Sequence, residues 1–302
     1  MKIAVLLTCF NRKEKTCTCL KSMYADLEKY NAIHLEDNIS LEVFLVDDGC
    51  TDGTADAVSA QFSNQSVHII QGTGSLFWAG GMRLAWSEAY KRHSEWDFYL
   101  LLNDDTKLLP GAFEELMNTH KYSLDHFGKA GIYSGITCAS DDHTKCTYSG
   151  NVWINKTKGT SKRLGPSDTP QMCDMTNANI LLVAKEVVDQ VGRFSTAYQH
   201  GLADYDYSIR VRKYGLPALI TANTCGICDN DHEDLQETAK RITNMSLIQR
   251  WKYFRHPVHS SSDYLRFIWN TSPRRYPMVW VGRMLNLFFP RFYYKLNEGR
   301  LS

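Results

Sequence analysis

The sequence lacks any uninterrupted run of eighteen apolar residues, so we expect no membrane-spanning helix. It also lacks an excess of one charge: 34 basic and 33 acidic residues leave a net charge of +1, which gives no indication of nucleic-acid binding. The first ten residues contain no small-residue cleavage site, so we expect a first strand there and not a signal peptide. Nine cysteines without regular spacing are typical of reduced thiols and favour a cytoplasmic protein.

Two phosphate-binding signatures are missing as well. The glycine-rich segment at residues 72–83 does not match the GxGxxG pattern of dinucleotide-binding folds. The segment after the first predicted strand, residues 9–12, lacks the glycine-rich, lysine-bearing loop that a sugar-phosphate nucleotidyltransferase needs. Cys225 and Cys228 form a single CxxC pair, which is weak evidence for structural zinc, and ordinary free thiols are the alternative.

Strands and helices alternate over the first hundred residues. Apolar runs at residues 3–7, 41–46, 67–70 and 98–102 predict buried strands, and residues 13–30, 55–62 and 82–93 predict helices between them. This alternation predicts an α/β fold with a doubly wound, mostly parallel sheet. Further along, we expect strands at 130–136, 175–183 and 216–221, a helix at 185–191, and hairpins or loops over 141–168.

Acidic residues follow two of these elements. Asp104 and Asp105 come directly after the apolar run at 98–102, and ligands bind beyond the carboxyl ends of strands in open α/β sheets. Adjacent carboxylates repel each other unless a cation lies between them or water reaches both, so this pair is a candidate divalent-cation site. Helix capping is the alternative. Asp204 and Asp206 lie at the start of another predicted helix, where capping and catalysis are again both open.

The end of the chain has a different composition. Residues 250–302 contain ten Lys or Arg against two acids, and thirteen of the 36 aromatic residues. We predict a helix over 277–289 that exposes Val279, Trp280, Leu287 and Phe288. A basic, aromatic helix is typical of contact with an anionic membrane surface, and packing on the rest of the protein is the alternative.

Five motifs occur in a fixed order along the chain. They are Thr-Cys-Phe-Asn-Arg at 8–12, Val-Asp-Asp-Gly-Cys-Thr-Asp-Gly-Thr at 46–54, Trp-Ala-Gly-Gly-Met-Arg at 78–83, Leu-Asn-Asp-Asp-Thr at 102–106 and Ala-Asp-Tyr-Asp at 203–206. Together they resemble the family 2 glycosyltransferases with the GT-A fold over about residues 1–235. The resemblance is closest to bacterial enzymes of surface-polysaccharide synthesis, including rhamnosyltransferase-like ones. Cys50 stands where that family has Ser, and Ala203 where it has Glu.

The resemblance implies an inverting, metal-dependent enzyme. Such an enzyme transfers a hexosyl or deoxyhexosyl group from a nucleoside-diphosphate sugar to a hydroxyl of a glycan or lipid-linked acceptor. The implied general base is Asp204, and the implied ligands of Mn²⁺ or Mg²⁺ are Asp105 and His232. The implied nucleotide-sugar-binding residues are Thr8, Asn11, Arg12, Asp47, Asp48, Gly81, Arg83, Asn103 and Asp104. For Arg83 a purely structural contact is the alternative, and the change at Ala203 leaves open a non-catalytic polysaccharide-assembly partner.

The resemblance also implies a division of the chain. We expect a GT-A catalytic domain over residues 1–243, with a nucleotide-sugar half at about 1–106 and an acceptor half at about 107–243. A mainly helical extension over 244–302 follows it. We expect a cytoplasmic protein that is peripheral on the inner face of the cell membrane, with no nucleic-acid partner.

Overall fold

The computed structural model describes residues 1–92, 95–230, 234–259 and 261–297. In these ranges the strands are β1 (Lys2–Cys9), β2 (Ser40–Asp47), β3 (Val67–Gln71), β4 (Phe98–Leu102), β5 (Lys107–Leu108), β6 (Ile132–Cys138), β7 (Cys146–Tyr148), β8 (Gly150–Asn155), β9 (Thr160–Arg163), β10 (Gln171–Met172), β11 (Met175–Thr176), β12 (Ile180–Ala184) and β13 (Ala218–Ile227). The helices are α1 (Lys13–Ile33), α2 (Thr54–Gln61), α3 (Phe77–Arg92), α4 (Ala112–Phe127), α5 (Lys185–Val191), α6 (Ala203–Lys213), α7 (Leu235–Asn244), α8 (Leu247–Arg255), α9 (Ser261–Thr271), α10 (Tyr276–Phe288) and α11 (Pro290–Leu296).

One large sheet organises the fold. Its strands follow the order β10-β13-β6-β12-β4-β1-β2-β3, with β5 and β7 paired beside them, and β11, β8 and β9 form a separate small sheet. Strands β4, β1, β2 and β3 are parallel, as predicted. Strand β12 runs antiparallel between β4 and β6. The predicted α/β fold with a mostly parallel sheet and C-terminal helices is confirmed.

The central strands are buried over almost their whole length. Residues 3–7 of β1 and 100–102 of β4 have no exposed surface. Helices cover the sheet, and α3 packs directly on β1 and β2. Because strands covered on both faces have no solvent side, their sequences are continuous apolar runs without alternation. The short apolar runs could therefore be recognised as strands from the sequence.

Three elements differ from the sequence-based prediction. Helix α3 begins at Phe77, five residues before the predicted start at Met82. The single strand expected over 175–183 is two strands, β11 and β12, joined by a loop at residues 177–179. The strand expected over 216–221 continues to Ile227, so the CxxC pair lies at its carboxyl end.

The two thiols of the CxxC pair contact different parts of the structure. The Cys225 Sγ lies 3.4 Å from Thr221 Oγ1 in the core, whereas the Cys228 Sγ lies 3.6 Å from Asp105 Oδ1. Both cysteines are buried. Each thiol thus has a hydrogen-bond partner of its own, and structural zinc at the pair is not tested.

The C-terminal helices contact the main hydrophobic core and also expose apolar surface. Phe267 and Ile268 of α9 are buried in the same cluster as the central strands, so part of this region packs on the core. The helix predicted over 277–289 is α10; Trp280 and Phe288 are exposed as expected, whereas Val279 and Leu287 are partly buried. None of the helices among the described residues is long and apolar enough to cross a bilayer.

Candidate active site

The candidate site lies at the edge of the sheet where the parallel strands β1, β2 and β4 end. These strands run in one direction, so their carboxyl ends and the loops that follow them lie at the same edge. The loop after β1 contacts both other loops: Arg12 pairs with the acids after β4, and Asn11 accepts hydrogen bonds from Thr51 after β2. Motifs separated by up to about ninety residues therefore form one site.

Asp48 holds the glycine-rich loop in place. Its Oδ1 accepts a hydrogen bond from the Gly74 N–H at 2.8 Å, and its Oδ2 accepts from the N–H groups of Leu76 and Phe77 at 2.9 and 3.0 Å. The Asp48 side chain is buried. Both carboxylate oxygens thus bind backbone amides at the start of α3, which the sequence reasoning did not anticipate. The nucleotide contact expected of Asp48 stays a prediction.

Other hydrogen bonds fix the loops after β1 and β2. The Asn11 Oδ1 accepts from the Thr51 N–H at 2.7 Å, and the Asp47 Oδ1 accepts from the Cys50 N–H at 2.7 Å. Asn11 has a positive φ of 51°, which Asn tolerates better than most residues. These contacts organise the segments expected to hold the nucleotide, although the contacts to a nucleotide are not tested.

Gly81 allows α3 to approach β1 closely. A Cβ atom on Gly81 would lie 2.1 Å from the Thr8 Oγ1, a distance that real atoms do not adopt. Gly81 is buried, and the Thr8 side chain is almost completely so. The role of Gly81 visible in the structure is therefore this close packing of helix on strand, and a nucleotide contact of either residue remains a prediction.

Arg12 neutralises the two acids that follow β4. Its Nη1 lies 2.7 Å from Asp105 Oδ2 and 3.4 Å from Asp104 Oδ1. Asp104 is buried and also accepts a hydrogen bond from Thr16 Oγ1 at 3.3 Å. Burial raises the pKa of Asp104 to about 7, although Arg12 acts in the opposite direction. The positive group beside this pair is therefore the Arg12 guanidinium, and a divalent cation at the pair stays a prediction.

The donor atoms at this pair suit a hard divalent cation. Asp105 keeps part of its side chain exposed and presents carboxylate oxygens, which Mg²⁺ and Mn²⁺ accept as ligands. Within the described ranges, no cluster of three or more His, Cys, Asp or Glu side chains is arranged to hold a metal. His232, the second predicted ligand, lies outside the described residues. Asp105 is accordingly the one predicted ligand whose position the structure gives, and Arg12 occupies the cation position beside it.

Asp204 lies at the first turn of α6, close to the loop at 177–179. Its Oδ2 accepts a hydrogen bond from the Ala178 N–H at 3.2 Å, and its Oδ1 accepts from the Tyr205 N–H at 2.9 Å. Burial raises the pKa of Asp204 to about 6, a value suited to taking up a proton near neutral pH. The neighbouring Asp206 differs, because it forms an ion pair with Arg210 at 3.0 Å and has a structural role.

The loop at residues 177–179 connects the two acidic regions, and the sequence reasoning missed it. The Asn179 carbonyl accepts from the Asn103 N–H at 3.0 Å, and the Asn179 amide donates to Cys228 Sγ at 3.3 Å. The Ala178 N–H contacts Asp204, as described above. Two asparagines interrupting an apolar run were the signal that could have revealed this loop.

Two further predicted residues make protein contacts. Asn103 Oδ1 accepts from the Trp78 indole N–H at 2.8 Å. Arg83 donates to the carbonyls of Ser195 and Tyr198 at 3.1 and 2.6 Å, and so holds the loop that precedes Asp204. These contacts correspond to the structural alternative for Arg83, and its contact with a diphosphate stays a prediction.

A mostly parallel sheet with acidic loops at its carboxyl edge is the architecture of GT-A glycosyltransferases. The chain matches the family model described as Glycosyl transferase family 2 over residues 4–178, more than half of its length, and it belongs to this family. It is also similar to a solved structure described as "Crystal structure of GalNAc-T7 with UDP, GalNAc and Mn2+", with a TM-score of 0.62 and 13% identity. The alignment covers 96% of this chain and 52% of that one, so this chain spans about half of its length. None of the curated proteins matches the sequence.

Replacing Arg12 by glutamine is expected to tighten Mn²⁺ binding. Arg12 and the metal ion require the same carboxylates, so removing the guanidinium removes a competitor and leaves the Asp105 carboxylate without its positive partner. Ion pairs of this exposure are worth roughly 0.2–1 kcal/mol, so we expect about a two- to fivefold lower dissociation constant. Electron paramagnetic resonance of free Mn²⁺ during titration measures this constant without any turnover. Lys13→Gln removes the same charge one residue away and serves as the control. Unchanged or weaker Mn²⁺ binding by Arg12→Gln would show that the two cations do not compete.

Proposed function

We propose that this family 2 glycosyltransferase transfers a hexosyl or deoxyhexosyl group, with inversion, from a nucleoside-diphosphate sugar to a hydroxyl of a glycan or lipid-linked acceptor. The observation that carries the proposal is the position of Asp204. Its carboxylate binds the loop at 177–179, and the same loop binds Asn103 of the acidic motif and Cys228 beside Asp105. A candidate base and a candidate cation site are thus held by one short segment.

The proposed reaction assigns separate tasks to these side chains. The Asp204 carboxylate takes the proton of the acceptor hydroxyl while that oxygen forms a bond to the anomeric carbon. The bond from the anomeric carbon to the diphosphate oxygen breaks on the opposite face, so the configuration inverts and the nucleoside diphosphate leaves with the electron pair. A base of this kind contributes about 10²–10⁴-fold to the rate. Asp105 would hold a divalent ion, which when bound would stabilise the negative charge on the leaving diphosphate.

The finer assignments complete the proposal. The similar solved structure is described with UDP, GalNAc and Mn²⁺, which supports a nucleotide-sugar donor and a divalent metal for this chain; we propose Mn²⁺ or Mg²⁺. We further propose a role in surface-polysaccharide synthesis, at the cytoplasmic face of the cell membrane. His232 remains the proposed second metal ligand.

A donor screen tests this function. The intact chain is incubated with Mn²⁺ and a panel of nucleoside-diphosphate sugars, and both the melting temperature and the release of nucleoside diphosphate are measured. A true donor is expected to stabilise the fold, by about 2.7 kcal/mol at a concentration of 100 times its dissociation constant. It is also expected to be hydrolysed slowly when no acceptor is present. Stabilisation without release by any donor would favour the non-catalytic assembly partner, and neither response to any donor would contradict nucleotide-sugar binding.

A further inference from the structure

The last two described helices expose many large apolar side chains. Seven of them lie between residues 278 and 296, and Met278, Phe289 and Leu296 are each more than 60% exposed. The full set in this segment is Met278, Trp280, Val281, Phe288, Phe289, Phe292 and Leu296. We call these seven side chains the apolar surface. A helix on the outside of a protein in water normally presents polar residues there, so this surface requires a partner.

Helical spacing places these side chains on stripes. Met278, Val281 and Phe288 are separated by three and seven residues and lie along one side of α10. Phe292 and Leu296 are separated by four residues and lie along one side of the next helix, α11, and Phe289 is the exposed residue that joins the two helices. The inner side of α10 is anchored elsewhere: the buried Arg250 donates to the Leu287 carbonyl at 2.7 Å. The exposed stripes therefore lie on the outer side of helices that already pack on the rest of the protein.

The charged residues of the segment that bears the apolar surface have one sign. Residues 264–297 contain six Lys or Arg and no Asp or Glu. Arg291 and Lys295 are exposed between the aromatic residues of α11, and Arg274 is exposed just before α10. An anionic bilayer complements both properties at once, because its headgroups attract the basic side chains and its acyl region accepts the apolar ones. None of the described helices could span a bilayer, so this segment is suited to lying on the bilayer surface.

The C-terminal helices also contact the loop that leads to Asp204. The Asp263 carboxylate of α9 accepts hydrogen bonds from the N–H groups of Gln199 and His200 at 3.0 and 3.1 Å. The Phe77 ring packs edge-on against both His200 and His256, with centroids 6.2 and 5.6 Å apart. Helix α9, which packs against α10, is thus attached directly to the loop preceding the candidate base.

We propose that the apolar surface and its basic neighbours bind an anionic phospholipid bilayer, and that this contact brings the Asp204 side of the site to acceptors held in that bilayer. The second half of this statement rests on the proposed function, whereas the lipid contact does not. Binding is peripheral: the aromatic and aliphatic side chains of α10 and α11 enter the interface between headgroups and acyl chains, and Arg291 and Lys295 pair with phosphates.

Vesicle co-sedimentation of the intact chain tests the lipid contact without any enzymatic readout. The chain is mixed with phosphatidylcholine vesicles or with vesicles in which part of the lipid is phosphatidylglycerol. We expect at least about tenfold stronger binding to the anionic vesicles, decreasing with added salt. Phe288→Ser with Phe292→Ser should weaken binding at least tenfold, and Arg291→Gln with Lys295→Gln should remove most of the preference for anionic lipid.

The matched control changes exposed apolar residues that are far from the apolar surface in the sequence. Ile33→Ser with Ile154→Ser alters side chains that are 75% and 69% exposed, and it should leave vesicle binding unchanged. Circular dichroism checks that each variant is folded. Equal binding of the intact chain and the Phe288/Phe292 variant would overturn the proposal. Sedimentation velocity tests a second copy of the chain as the partner instead. The proposal would be overturned in favour of that partner if the wild type did not bind vesicles, formed a dimer, and became monomeric in the Phe288/Phe292 variant. Donor hydrolysis in the absence of vesicles reports separately on the proposed function.

Discussion

Asp204→Asn is expected to fold, to bind donor and Mn²⁺ normally, and to transfer sugar about 10²–10⁴-fold more slowly than the wild type. The amide keeps the size of the side chain but cannot take the proton from the acceptor hydroxyl. Its oxygen can still accept the Ala178 N–H, which preserves the contact with the loop at 177–179. A loss confined to turnover, with an unchanged donor dissociation constant, is the signature of a base.

The pH dependence of transfer provides a second readout of the same residue. Burial raises the pKa of Asp204 to about 6, so the carboxylate is increasingly protonated, and unable to act as a base, as the pH falls through 6. We therefore expect wild-type transfer to decrease below about pH 6 and to level off above about pH 7. The residual activity of Asp204→Asn should lack this acid limb. Asp189→Asn, which changes a partly exposed aspartate on α5, is the control and should keep the wild-type rate and profile. Full transfer by Asp204→Asn would remove Asp204 as the base.

Asp105→Asn is expected to abolish Mn²⁺-dependent donor hydrolysis and to weaken Mn²⁺ binding by about tenfold or more. The substitution removes the negative charge that a cation requires at this position, while the neighbouring Arg12 keeps Asp104 as a partner. The two single variants should therefore have opposite effects: Arg12→Gln lowers the Mn²⁺ dissociation constant, and Asp105→Asn raises it.

A matched variant separates this effect from a general loss of acidic charge. Asp56→Asn removes one exposed carboxylate from α2, and it should leave Mn²⁺ binding and donor hydrolysis unchanged. Isothermal titration or electron paramagnetic resonance measures the binding, and nucleoside-diphosphate release measures the hydrolysis. Normal Mn²⁺ affinity in Asp105→Asn would place the metal elsewhere.

The sequence predicted the parts of the fold that depend on local apolar patterns. Strands β1 and β4 contain continuous apolar runs and β2 a run interrupted by Glu42, and all three were placed correctly, as was α5 over residues 185–191. The adjacency of Asp104 and Asp105 predicted a candidate cation site, and the structure places the Arg12 guanidinium beside both carboxylates, whereas a divalent ion there stays a prediction. These features need only the pattern of neighbouring residues, which the sequence contains directly.

The sequence could not predict features that depend on contacts between distant segments. The antiparallel direction of β12 is set by its neighbours β4 and β6, and its own apolar run is the same in either direction. Asp48 binds amides about 28 residues further along, and Arg83 binds carbonyls more than a hundred residues away. Side-chain type and spacing do not reveal such partners. For this reason the sequence did not reveal that residues expected to touch nucleotide also make contacts within the protein.

A crystal structure of the chain with a nucleoside-diphosphate sugar and Mn²⁺ tests the central claim most directly. We predict Mn²⁺ bound to Asp105 and to the diphosphate, with Arg12 moved off the two carboxylates and the anomeric carbon facing Asp204. Mn²⁺ bound away from Asp105, or a donor sugar whose anomeric carbon faces away from Asp204, would contradict it.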